Sequence, residues 1–176
     1  MPDPYAAISR SPATVTVAGH LVTIPHRPAG AWLAALADAR PSLALMRVAD
    51  GPSRAWLIGQ LAAGDLPWDI AAQGSYDALT AAGGRPWWET HRLLSLSVEP
   101  STLGHLVLAG LDPWARSTGE WTAAVYTLLT RHAKPEEVFK FDSQLGAPPP
   151  GFEDHWDDDT DFEAMAAAAR NMPGMN

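Results

Sequence analysis

Cysteine is absent from the 176-residue chain, which excludes disulfide scaffolds, thiolate zinc sites, iron–sulfur clusters and cysteine nucleophiles together. Basic residues are few. Twelve Lys and Arg against 20 Asp and Glu give a formal charge of -8 at pH 7, so the basic footprint of a nucleic-acid binder is missing. No stretch approaches the ~18 consecutive apolar residues of a membrane span. The N-terminus MPDPYAAISR has two prolines, an acid and no apolar segment, so it does not read as a secretory signal. The G-x-S-x-G elbow, the P-loop and the G-x-G-x-x-G fingerprint are also missing, which removes the usual support for serine hydrolases and for nucleotide or dinucleotide binding. The expectation is one soluble acidic domain, without cofactor, metal or catalytic activity.

What charge there is lies unevenly. Residues 151–176 hold seven acids and one base, which is -6 of the -8 and leaves -2 for residues 1–150. Pro148, Pro149 and Pro150 stand at that shift, and three consecutive prolines stop a helix and stiffen the chain. The expected division is therefore a helical domain over 1–150 and a weakly ordered acidic tail over 151–176. Within the tail, Thr160 or Asp159 is placed to cap a short helix from Ala164 to Arg170. The run Asp157-Asp158-Asp159-Thr160-Asp161-Phe162-Glu163 alternates acids as a calcium loop does, but Phe162 replaces the turn glycine and Ala168 the closing glutamate. A solvated tail able to pair with basic surfaces of a protein partner fits it better.

Residues Ala13–Pro25 hold two β-branched runs about Ala18-Gly19-His20, which predicts a hairpin at about 13–25 with Val15, Val17, Val22 and Ile24 on its buried face. The rest reads as helices punctuated by Gly and Pro. Trp32, Leu33 and Leu36 give a first stripe before Pro41. Ser53 is placed to cap a helix that stops at Gly64, and Trp68–Ala82 is closed by Gly83-Gly84. Pro86 opens a helix carrying Trp87, Trp88, His91, Leu94 and Val98, with Pro100 as its terminator. A short segment Leu103–Leu111 follows, then a helix after Thr118 or Gly119 whose Trp121, Ala124, Val125, Leu128 and Leu129 recur at helical spacing. Pro135 begins a last helix closed by Gly146. The fold class is mainly α, with one small N-terminal hairpin packed on the helices.

The six histidines are scattered, and Glu89 and His91 stand two apart, on different faces of a helix. They read as surface or partly packed side chains, with His91 and His132 nearest the apolar stripes. The eight tryptophans are a heavier load. Trp32, Trp56, Trp87 and Trp121 lie in helical stripes and are expected in the core. Trp88 points about 100° away from Trp87, Trp114 lies in a loop and Trp156 in the tail. These three, with Asp157, Asp158 and Asp159, are the candidate partner-binding residues, since a rigid ring offers contact area at low entropic cost.

Residues Gly84–Leu94 (GRPWWETHRLL), then Gly110-Leu111-Asp112-Pro113, then Trp121–Leu129 (WTAAVYTLL), and Phe141 with Leu145 before the three prolines resemble tail assembly chaperones of long-tailed, siphovirus-type bacteriophages. The likeness covers about residues 84–150. It implies a non-enzymatic helper in the host cytoplasm that binds the tape-measure protein before the tail tube polymerises, with the tail-tube protein or a longer frameshifted form of itself as further partners. No nucleic acid and no membrane enter that picture. Two other classes remain: a structural virion component, which calls for more strand and a ring-forming interface, and an acidic regulator or inhibitor, which calls for acids spread over a folded face.

Overall fold

The computed structural model describes residues 12–37 and 41–152. Among these, eight helices and one two-stranded antiparallel hairpin form the structure. The chain divides into two units, residues 1–145 and 146–176. Of the second, residues 146–152 are described, and the Phe152 N–H closes a turn onto the Pro149 carbonyl at 3.0 Å. The tail helix expected over Ala164–Arg170 lies outside the described residues.

In the first unit, β1 (Ala13–Val17) pairs with β2 (His20–Ile24) in a register running from Val17 opposite His20 to Ala13 opposite Ile24. Ala18 and Gly19, both at positive φ, make the two-residue turn, a geometry that suits the strand twist. Val15, Val17, Val22 and Ile24 are buried, and Thr14 and Thr16 face outward, as the alternation requires. A two-stranded sheet needs support; β1 packs on α4 (Trp68–Gly83), and β2 on α3 (Gly51–Ala63). The His20 ring stacks on Trp56 of α3, centroids 4.0 Å apart.

Helix α1 (Ala29–Leu36) has no side-chain cap. Its first amides are satisfied by the loop before α7 (Thr118–Thr130): Ala29 donates to the Arg116 carbonyl and Gly30 to that of Pro113, each at 2.9 Å. Helix α2 (Pro41–Val48) was not expected from the sequence. A proline that ends one helix is equally suited to the first turn of the next, and Pro41 serves in that second way. Pro100 repeats the pattern. It lies in the first turn of α6 (Pro100–Leu108), whereas the preceding α5 (Trp87–Ser97) already ends at Val98, so the segment expected from Leu103 begins three residues earlier.

Capping differs from expectation at three further places. Asp50 rather than Ser53 caps α3, accepting from the Ser53 N–H at 2.8 Å. Ser53 instead is buried, and its hydroxyl accepts from the Thr23 N–H at 3.0 Å, tying the helix to β2. Pro86 sits just before α5, as N-cap, and not within its first turn. Helix α7 starts from Ser117 through a full capping box with Glu120, the S-x-x-E pattern that satisfies two orphan amides reciprocally.

The core gathers Trp32, Leu45, Leu57, Leu79, Leu93 and Trp121 from six different helices. Helix α5 lies between α4 and α7, and α4 also packs on α2. Trp56 and Trp87 are partly buried against this cluster, whereas Trp32 and Trp121 are fully buried. The last helix, α8 (Pro135–Gly146), buries only Leu145.

Candidate functional site

Because α5 is flanked by α4 and α7, its buried arc is wider than one stripe and takes in Trp88, Thr90, Leu93, Leu94 and Ser97. Trp88 is therefore 7% exposed, and its ring meets that of Trp87 edge-on at 6.0 Å. The expectation of an exposed contact residue at Trp88 is corrected: a helix covered on two sides buries neighbours 100° apart. Trp87 in turn stacks on Tyr76 at 4.0 Å.

Trp114 is 61% exposed. Its amide donates to Asp112 Oδ1 at 2.9 Å, and one side of its ring covers Gly30, where a Cβ would stand 2.5 Å from Trp114 Cδ2. The indole thus has a packed face and a free face. Trp156, Asp157, Asp158 and Asp159 lie outside the described residues. Among the described residues the two remaining candidates differ: Trp88 is buried in α5 and Trp114 is exposed in the loop before α7.

A polar edge runs along α5, α7 and α8. The Arg92 guanidinium donates to the Gln144 and Leu145 carbonyls at 2.6 and 2.7 Å, satisfying two C-terminal acceptors of α8. The Tyr126 hydroxyl donates to Asp142 Oδ1 at 2.8 Å, and this bond, with burial and the nearby Asp142 charge, holds the phenol above its usual range. Burial raises the Glu89 carboxyl, opposed by Arg85 and Arg92. Burial also lowers His91, with Arg92 acting in the same direction. A groove of about 690 Å³ lies here, lined by His91, Leu96, Phe141 and Leu145 among others. Arg92 and Tyr126 spend their donors on holding α8, so this edge reads as structural.

The surface that sequence reasoning missed is α6. Thr102 and Leu106 are its buried residues, one turn apart on the inner face. Outward it presents Leu103, Val107 and Leu108, the last two 60% and 88% exposed, with exposed Val98 just before its start. Between α6 and α7 runs a second groove of about 380 Å³, lined by Ser101, Thr102, His105, Leu128, Arg131 and His132 among others. The signal was present in PSTLGHLVL, whose apolar residues exceed a single stripe. Other exposed apolar side chains, including Trp68, Ile58 and Phe139, come from separate helices.

No helix among the described residues is long and apolar enough to cross a membrane, and no group of three or more His, Asp or Glu among them could hold a metal ion. No family model, no curated protein and no solved structure matches the chain.

Proposed function

We propose that this protein is a non-enzymatic binding protein that holds an amphipathic helix of its partner against α6, acting as a tail assembly chaperone for a tape-measure protein in the host cytoplasm. The observation that carries the reading is the outward face of α6. A nine-residue helix turning Leu103, Val107 and Leu108 to solvent is costly to leave uncovered, since apolar surface contributes about 25 cal/mol per Å² when it is buried. An exposed apolar face with a polar border marks a protein contact, and helix-on-groove docking reads apolar anchors at i, i+3 and i+4 spacing. The likeness of residues 84–150 to phage tail assembly chaperones supplies the particular partner, a long helical protein that aggregates unless covered. The net charge of -8 supports the same role by keeping a domain with an exposed apolar face soluble.

Co-expression tests it. The tape-measure protein should be recovered in the soluble fraction with this chain and in aggregates without it. Recovery of the chain within purified virions would favour a structural component instead.

A further inference from the structure

Helix α8 (Pro135–Gly146) is attached to the domain by polar bonds more than by packing. Its inner side is a narrow line: Leu145 is buried, Val138 and Phe141 are half-buried, and Phe139 is 75% exposed. No other element packs closely along it among the described residues. Buried apolar area is the main favourable contribution that holds an element in a domain, so packing alone secures α8 weakly.

Side chains of the neighbouring helices act as clips. From α5 the Arg92 guanidinium donates to the Gln144 and Leu145 carbonyls, and from α7 the Tyr126 hydroxyl donates to Asp142 Oδ1 while its ring meets Phe141 at 5.9 Å between centroids. These bonds lie at or near the surface, where water competes for each group and the net gain is modest. The bonds at the start of α8 are local: the Lys134 amide donates to Glu137 Oε2 at 2.9 Å, and the Val138 amide to the Lys134 carbonyl at 3.0 Å. They travel with the helix. Prolines at 135 and at 148–150 interrupt helical hydrogen bonding on either side, and a helix of 12 residues is marginal by itself in water. By contrast α5 and α7 are anchored through Leu93, Leu94, Trp121 and Val125, all buried in the main core.

We infer that α8 is a detachable strap: it leaves the domain as one unit while α5 and α7 stay folded, and its departure uncovers the apolar seat of Phe141 and Leu145. The groove of about 690 Å³ that His91 and Leu96 of α5 line together with Phe141 and Leu145 is the seam along which it opens. Local opening of this kind draws on elements with few buried apolar contacts and exposed hydrogen bonds, and α8 has both. Arg92 is the positioning residue of the closed state, because two clips run from one guanidinium. The strap is independent of the docking reading of α6.

Amide hydrogen exchange of the full chain tests it. Peptides covering residues 135–146 should be at least about tenfold less protected than those covering Leu93 and Leu94. Arg92→Ala should speed exchange in α8 by about tenfold, leave α5 and the melting temperature close to wild type, and raise the binding of a dye that fluoresces on apolar surface. Tyr126→Phe, which removes one clip and keeps the ring, should act in the same direction by about threefold to tenfold. Equal protection of α8 and α5 in the wild-type chain overturns the inference, as does exchange in α8 that neither variant changes. Loss of protection in α5 together with α8 in both variants also overturns it, because α8 would then belong to the cooperative core. Faster exchange in α8 without a rise in dye binding overturns the uncovered seat.

Discussion

Gly74 of α4 backs onto Val17 of β1 so closely that a Cβ on the glycine would stand 2.6 Å from Val17 Cγ2 and 3.1 Å from Leu45 Cδ2. One missing side chain thus lets the helix meet both the hairpin and α2. Gly74→Ala should destabilise the protein by about 1–3 kcal/mol through overpacking, although alanine is the better helix former by ~1 kcal/mol. Adding Val17→Ala should recover part of that loss, because the two positions share one contact. Denaturant unfolding of the two single variants and the double variant checks this; additive losses would show that the contact does not limit the packing.

Trp121 is fully buried, and its Nε1 has no hydrogen-bond partner among the described residues. Its contribution is therefore its apolar bulk. Trp121→Ala should cost about 3–5 kcal/mol, whereas Trp121→Phe, which removes the orphan donor and keeps a ring, should cost much less. Thermal unfolding of the pair separates bulk from polarity.

The start of α7 depends on Ser117 and Glu120. Ser117→Ala removes the hydroxyl that accepts from the Glu120 amide at 3.2 Å and should cost about 0.5–2 kcal/mol. Because the same loop caps α1 through the Pro113 and Arg116 carbonyls, amide exchange should quicken at Ala29 and Gly30 as well as in α7.

His91 gives a pH dependence of known sign. Burial and Arg92 hold its folded pKa below the ordinary 6.5, so the unfolded chain binds the proton first as pH falls. Its contribution is fully present above that ordinary value and is lost as pH drops from it towards the lowered one. Glu89 works in the opposite sense at lower pH: its raised carboxyl favours the protonated form, and stability is lost as pH rises through the window above 4.5. Melting curves from pH 8 down to pH 5.5 should show a decline that His91→Gln flattens.

Much of the fold was legible because local chemistry and the final packing agree. Threonine–valine alternation marked the hairpin, and the Trp121–Leu129 stripe marked α7. Helix α2 and the start of α6 were hidden because Pro41 and Pro100 look the same as terminators and as initiators. The capping box is readable at Ser117-Thr118-Gly119-Glu120 as S-x-x-E, although Thr118 and Gly119 are also residue types that start helices. The candidate site was less legible. Whether Trp88 is buried depends on α5 having helices on two sides, and whether Val107 and Leu108 are exposed depends on which arc of α6 its neighbours α5 and α7 leave uncovered. Neither is written in the local sequence.

If the outer face of α6 covers a partner helix, polar groups placed on it should abolish that cover. The most direct test is the double variant Val107→Asp and Leu108→Asp, co-expressed with the tape-measure protein and compared with the wild-type chain. Both positions are solvent-exposed, so the variant should fold and melt close to wild type. The wild-type chain should keep the tape-measure protein soluble while the folded variant leaves it in aggregates. Equal solubilisation by the folded variant would contradict it.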